Sequence, residues 1–305
     1  MSFSRRSFLR NLALSAAALA VPDTLDASAL LRAIPSEADR ARLGDWLRTL
    51  RREGLATPRA PLGRAVARVG ELALGSPYRA HTLEEYLAAA GATPMHEPVT
   101  SYLTAFDCVT LVESSLAVAR AAAKPGAGWD DFQHEIERMR YRGGVRAGYA
   151  SRLHYFSEWI SDNASRGLVR DLGPELGAEE DRRPLRFMST HRAAYDALKD
   201  DAVFAGIVAM ERRLDAQPRH LVRKEHIPAI VGRLQTGDVL GFACSIDGLD
   251  CTHTGMAYRD HAGVMRVLHA PLSGGEVQVS RGTLPQYVNA LRSGTGILVA
   301  RPLRG

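Results

Sequence analysis

One stretch, Phe106-Asp107-Cys108-Val109-Thr110-Leu111-Val112-Glu113, limits what this chain can fold into more than any other. A cysteine stands at the head of an apolar run with helical spacing. Val109, Val112 and Leu116 fall at i, i+3 and i+7, which predicts one buried stripe. Asp107 has the side chain an N-cap needs. Cys108 then lies in the first turn, where unpaired N–H groups and the helix dipole favour a thiolate. The competing reading is a buried helix whose cysteine is only a small apolar residue.

The chain's 305 residues allow one large domain or two small ones. The formal charge is +5, but Arg5, Arg6 and Arg10 belong to the first twenty residues, which hold no acid. Without them the charge is 5 − 3 = +2. That balance, with no basic stripe interleaved with aromatics, argues against nucleic acid as a partner. Ser4-Arg5-Arg6-Ser7-Phe8-Leu9-Arg10, the apolar run Leu12 to Val21 and Ala18-Leu19-Ala20 resemble a twin-arginine export signal. The expected organisation is a signal peptide at 1–20, a linker at 21–35 and a single catalytic domain at 36–305. The precursor then has the twin-arginine export machinery as partner. The mature protein is expected in the periplasm or outside the cell. The apolar run is too short to span a bilayer, and no cysteine follows the leader to take a lipid, so no membrane anchor is expected.

Export changes the meaning of three cysteines, because an odd count leaves at least one unpaired in an oxidising compartment. Cys244 and Cys251 flank a Gly/Asp turn and could approach each other. If they pair, Cys108 is the thiol left over.

Along the chain, helical spacing predicts segments from Ser36, over Leu62 to Leu74, over 107–122, over Trp129 to Arg140, and up to about Asn163. Residues 165–200 read as charged loops, followed by a helix over 201–216. The period then changes. Val239 to Ala243, Thr252 to Arg259, Val264 to Ala270, Glu276 to Ser280 and Gly296 to Arg301 read as strands, with a helical crossover over Pro285 to Leu291. Short strands with short turns predict an antiparallel sheet. Helices first and strands later predict an α+β fold.

A thiol nucleophile needs a base, and the base needs an orienting group. The strands Thr252–Arg259 and Val264–Ala270 are joined by Asp260-His261-Ala262-Gly263. A turn centred at position 261 or just after it puts His269 or Ala270 opposite His253, and His253 and His269 are then cross-strand neighbours on one face, with room left by Gly255. The pair is expected to face the head of the cysteine helix. Cys108 is then the nucleophile, His253 the base and His269 the orienter. A Cys/His/His zinc site is the rival reading, but its spacing matches no local zinc motif. No metal and no cofactor are expected.

The motif at Phe106–Glu113 resembles the nucleophile motif of NlpC-type cysteine peptidases and amidases. Gly237-Asp238-Val239-Leu240, Leu249-Asp250-Cys251-Thr252-His253-Thr254-Gly255-Met256-Ala257 and Leu268-His269-Ala270 resemble three of their strands. Arg140-Tyr141-Arg142-Gly143-Gly144 and Ser151-Arg152-Leu153-His154-Tyr155 resemble the N-acetylmuramoyl-L-alanine amidase-like branch. The likeness covers about residues 100–300. It implies a papain-like fold, with the nucleophile helix packed on an antiparallel sheet and extra N-terminal helices. It implies thiol attack on an amide of peptidoglycan fragments, through a thioester, at the bond between N-acetylmuramic acid and L-alanine. One departure is Pro271, which stands where many relatives carry serine after His-Ala.

Muropeptides carry carboxylates, which arginine forks bind. Arg142 and Arg152 are candidates for that role, with Tyr141 and Tyr155 as walls and His154 nearby. Tyr102, Thr104 and Asp107 are expected to line the cleft. Two other functions fit the same sequence. One is a γ-D-glutamyl-diamino acid endopeptidase of the peptidoglycan stem. The other is a cell-wall-binding module without catalysis.

Overall fold

The computed structural model describes residues 35–304. The stretch read as an export signal, and nearly all of the stretch read as a linker, lie outside the described residues. The first helix, α1 (Glu37–Arg52), starts with a capping box between Ser36 and Asp39. Asp39 does more than cap. Its Oδ1 accepts from the Leu103 N–H at 2.8 Å, the Thr104 N–H at 3.0 Å and the Thr104 hydroxyl at 2.9 Å. That ties α1 to the segment leading into Cys108. Next comes α2 (Leu62–Leu72).

The cysteine helix, α3 (Cys108–Ala121), has Asp107 as its N-cap, as the sequence predicts. Asp107 Oδ1 accepts from the Thr110 N–H at 2.7 Å, and Thr110 Oγ1 accepts from the Asp107 N–H at 2.9 Å. The single buried stripe is corrected. Every residue from Thr110 to Ala121 is buried, because α1, α2, α4 (Trp129–Arg140) and the sheet surround the helix. A helix enclosed this way is buried all round rather than striped, and its polar members, Glu113 and Arg120 among them, must find partners inside. Two further helices are α5 (Phe156–Ser165) and α6 (Asp201–Asp215).

The charged stretch read as loops contains two short strands, β1 (Val169–Asp171) and β2 (Glu179–Asp181), and β3 (Arg219–Arg223) follows α6. The other strands fall close to expectation. They are β4 (Val239–Cys244), β5 (Cys251–Arg259), β6 (Met265–His269), β7 (Gln278–Val279) and β8 (Gly294–Pro302), with α7 (Leu284–Ala290) before the last. The sheet runs β2-β3-β8-β4-β5-β6-β7, with β1 also on β8, and every pairing is antiparallel. β6 stops at His269, just before Ala270-Pro271, where proline cannot extend the ladder.

Both faces of the sheet are covered. Val239, Met256, Leu268 and Ala300 pack toward α2 and α3. Leu240, Phe242, Ala257, Val267 and Ile297 pack with Leu284 and Val288 of α7. That double cover is why β4 is buried at all six positions instead of alternating. The larger core cluster runs from Leu43 to Ala300 and joins the N-terminal helices to the sheet. Among the described residues no helix is long and apolar enough to cross a membrane.

Candidate active site

Cys108 opens α3 and is partly exposed. Its sulfur meets β5 at Thr254, whose N–H and hydroxyl both favour a charge on it, as does the N–H of Val109. The residue before Thr254 is His253. The His253 Nε2 lies 2.8 Å from His269 Nδ1, with the two rings T-shaped at 5.0 Å. His253 keeps partial exposure, whereas His269 is 2% exposed. The thiol and the imidazole pair are linked through Thr254, the residue after His253, and through Tyr287, which meets His269 Nδ1 and senses a charge on Cys108.

Two details differ from expectation. The β5–β6 register pairs Met256 with Leu268, which places His269 level with Gly255 rather than His253. The histidine pair is diagonal, and Gly255 makes it fit: a Cβ there would lie 3.1 Å from that of His269. The pair also does not face α3 squarely. His253 stacks on Phe242 at 5.6 Å, on the side of the sheet that α7 covers. The sulfur reaches the strand one residue on, beyond the last β5–β6 pair, where the two strands part. Tyr78 and Tyr287 both sense a charge on Cys108.

The electrostatics also correct an expectation. Burial pushes the Cys108 thiol up to about 12, and the neighbouring Asp107 charge adds to this, against Thr254 and Val109. The helix terminus does not outweigh burial, so the resting group is a neutral thiol. Burial, with the charge of His269, lowers His253 to about 3, and burial lowers His269 to about 4. A lone charge on either partner is costly here.

These two histidines make stability depend on pH. They are neutral when folded but protonate near 6.5 when unfolded. Their contribution is complete above pH ~6.5 and is lost as pH falls toward about 4 and about 3. At pH ~5 each costs about 2 kcal/mol. Thermal melting should therefore drop steeply from pH 7.5 to 5, and a His253→Gln/His269→Asn variant should show a shallower slope. Equal slopes in the two proteins would contradict the assignment.

The residues expected to bind substrate are mostly committed elsewhere. Tyr141 and Tyr155 are 0% and 1% exposed, so neither is a cleft wall. Tyr141 donates to Glu97 at 2.8 Å, and Tyr155 donates to Glu211 at 2.7 Å. Arg142 forks onto Glu158 at 2.7 and 3.1 Å. Arg152 is buried, donates to Glu84 at 2.6 Å and lies over the Tyr149 ring at 4.6 Å. His154 Nε2 contacts the Tyr149 carbonyl at 2.8 Å. Thr104 is held by Asp39, and Asp107 is the helix cap. Tyr102 is partly exposed, donates to Glu85 at 3.2 Å and carries Arg79 over its ring. Each of these arginines has an acid partner remote in sequence, which no local pattern reveals.

Three more residues stand at the site without a motif to mark them. They are Thr254 against the sulfur, Tyr78, and Tyr287 at 3.3 Å from His269 Nδ1. Glu113 of α3 is a further residue whose role the local sequence does not disclose. It pairs with Arg140 at 2.8 Å, both side chains 2% exposed. A charge inside an apolar helix was the available signal, since it demands a partner. Cys244 and Cys251 are free thiols. Among the described residues no cluster of three or more His, Cys, Asp or Glu is placed to hold a metal.

Residues 68–297 match the AmiA-like family, described as N-acetylmuramoyl-L-alanine amidase-like, so the chain belongs to this family of cell-wall amidase-like hydrolases. An N-acetylmuramoyl-L-alanine amidase from Bacteroides uniformis is 28% identical, with TM-score 0.72, over 79% of this chain and 99% of that one. A structure from Bacteroides fragilis described as a putative xylanase is 31% identical, with TM-score 0.69, over 77% of this chain and 99% of that one. A Legionella pneumophila protein, 18% identical with TM-score 0.63 over 88% of this chain and 95% of that one, shares the fold. No curated protein matches the sequence.

Proposed function

We propose that the protein is a thiol-dependent N-acetylmuramoyl-L-alanine amidase acting on muropeptides, of papain-like, NlpC-type descent. The observation that carries this is Cys108 at the mouth of α3, against Thr254, the residue after His253, with Tyr287 linking it to the 2.8 Å His253–His269 pair. His253 Nε2 is taken by His269, which leaves Nδ1 to receive the thiol proton. The sulfur attacks the lactyl carbonyl of the muramic acid. The C–S bond forms, the C–N bond breaks, and His253 returns the proton to the departing L-alanine amine. Water, deprotonated by His253, then cleaves the thioester and leaves a carboxylate on the sugar.

The Bacteroides uniformis amidase supports this bond as the target. The xylanase description of the other Bacteroides structure fits this centre less well, because glycoside hydrolysis ordinarily needs two opposed carboxylates. The leader supports export, so the substrate would be met in the periplasm or outside the cell.

The test is digestion of a defined disaccharide-tetrapeptide, read by mass spectrometry. The expected products are a whole tetrapeptide and a disaccharide ending in a free lactyl carboxylate. A shortened stem still attached to sugar would instead show the γ-D-glutamyl endopeptidase. No cleavage, with binding retained, would show a cell-wall-binding module.

A further inference from the structure

We propose that Tyr287 is a positioning residue, whose hydroxyl donates to His269 Nδ1 and so fixes the histidine tautomers that leave His253 a base. This rests on the Cys108–His253 reading above. The hydrogen bond between His253 Nε2 and His269 Nδ1 carries one proton. If it sits on His253 Nε2, the His253 Nδ1 lone pair is free to take the thiol proton. If it sits on His269 Nδ1, neutral His253 carries its own proton on Nδ1 and cannot act as base. The 2.8 Å contact alone does not choose between them.

Tyr287 chooses. Its hydroxyl lies 3.3 Å from the same His269 Nδ1, its acceptor among the described residues. With a lone pair at that nitrogen, the phenol O–H and the His253 Nε2–H share it as a three-centre hydrogen bond. With a proton there, the phenol O–H faces an N–H and loses its acceptor. His269 Nε2 is buried without a partner in either arrangement, so it does not decide.

The placement of Tyr287 is well determined. Thr283 and Gln286 form a capping box at the start of α7. The Tyr287 ring stands edge-on to His269 at 5.0 Å and to Phe242 at 5.0 Å. The titratable groups meeting here are His253 and His269 on the sheet, Tyr287 on α7 and Cys108 on α3, with Asp107 and Tyr78 against Cys108.

Tyr287→Phe removes the hydroxyl and keeps the ring. The expected result is a ~10-fold lower kcat on the disaccharide-tetrapeptide, with KM changed less than about two-fold. Freed of the phenol donor, His269 becomes more basic, so the acid limb of kcat/KM moves up by roughly half a pH unit or more. Alkylation of Cys108 by iodoacetamide should slow in step with kcat. In the wild type, imidazole 15N NMR should find the His253 proton on Nε2, and in Tyr287→Phe a mixture. Wild-type kcat and an unmoved acid limb in Tyr287→Phe, or a wild-type His253 proton on Nδ1, would overturn the role of Tyr287. A His253→Gln variant run alongside separates the two failures: if it turns over normally, the underlying thiol–imidazole reading has failed instead.

Discussion

Cys108→Ala leaves a folded protein that binds muropeptides but turns them over at least about 10⁴-fold more slowly. The size of the effect follows from how the site is built. In the proposed mechanism His253 moves a proton, and the sulfur alone carries the acyl group. Once the sulfur is gone, what remains is positioning and whatever general-base help His253 gives to water. Folding should survive, because Cys108 is only partly buried and the cap at Asp107 and Thr110 stays intact. Alanine also removes a thiol that the interior already holds neutral, so no buried charge is left unpaired. The readouts are product formation by mass spectrometry and the melting temperature. Undiminished turnover in the alanine variant would remove the thiol from the mechanism.

The second large effect is on stability and comes from inside the nucleophile helix. Arg140→Met strands Glu113 in the core. The two side chains are each 2% exposed, and Arg140 also donates to the Thr100 carbonyl at 2.6 Å. Breaking one partner of a buried pair costs about 3–5 kcal/mol, because the other charge stays unpaired. For a chain of this size that lowers the melting temperature by roughly 10 °C. Replacing both, as Glu113→Leu/Arg140→Met, should recover much of the loss, since apolar residues of similar volume often fill such a site without penalty. A single Arg140→Met variant that melts with the wild type would contradict a charged, buried pair. The same bond holds α3 in register with α4 and with the Thr100 backbone, so the single variant should also lose activity through a displaced Cys108.

The parts of this molecule legible in its sequence were those governed by local rules. The cap at Asp107, the helix behind Cys108 and the hairpin bearing His253 and His269 follow from capping chemistry and from a period near two. Long-range pairing was not legible. β1, β2 and β3 are short and carry charges, and they become strands because neighbouring strands, β8 above all, supply their partners. Arg142, Arg152, Tyr141 and Tyr155 look like a binding surface when read in a row. Their acids, Glu158, Glu84, Glu97 and Glu211, lie 16, 68, 44 and 56 residues away, and pairing turns that surface into interior scaffold. Asp39 is similar. Its bonds to Leu103 and Thr104 give the N-terminal helix a share in placing Cys108, and nothing near Asp39 in the chain announces it.

The central claim is that the Cys108 sulfur becomes acylated, and it can be weighed directly. Intact-mass spectrometry of the enzyme, acid-quenched during turnover of a disaccharide-tetrapeptide, should show an adduct equal to the N-acetylmuramoyl-bearing sugar. Fragmentation should place it on the peptide containing Cys108, and neutral hydroxylamine should release it. An enzyme that cleaves the same substrate with Cys108 unmodified throughout, or with the adduct on another residue, would contradict the account.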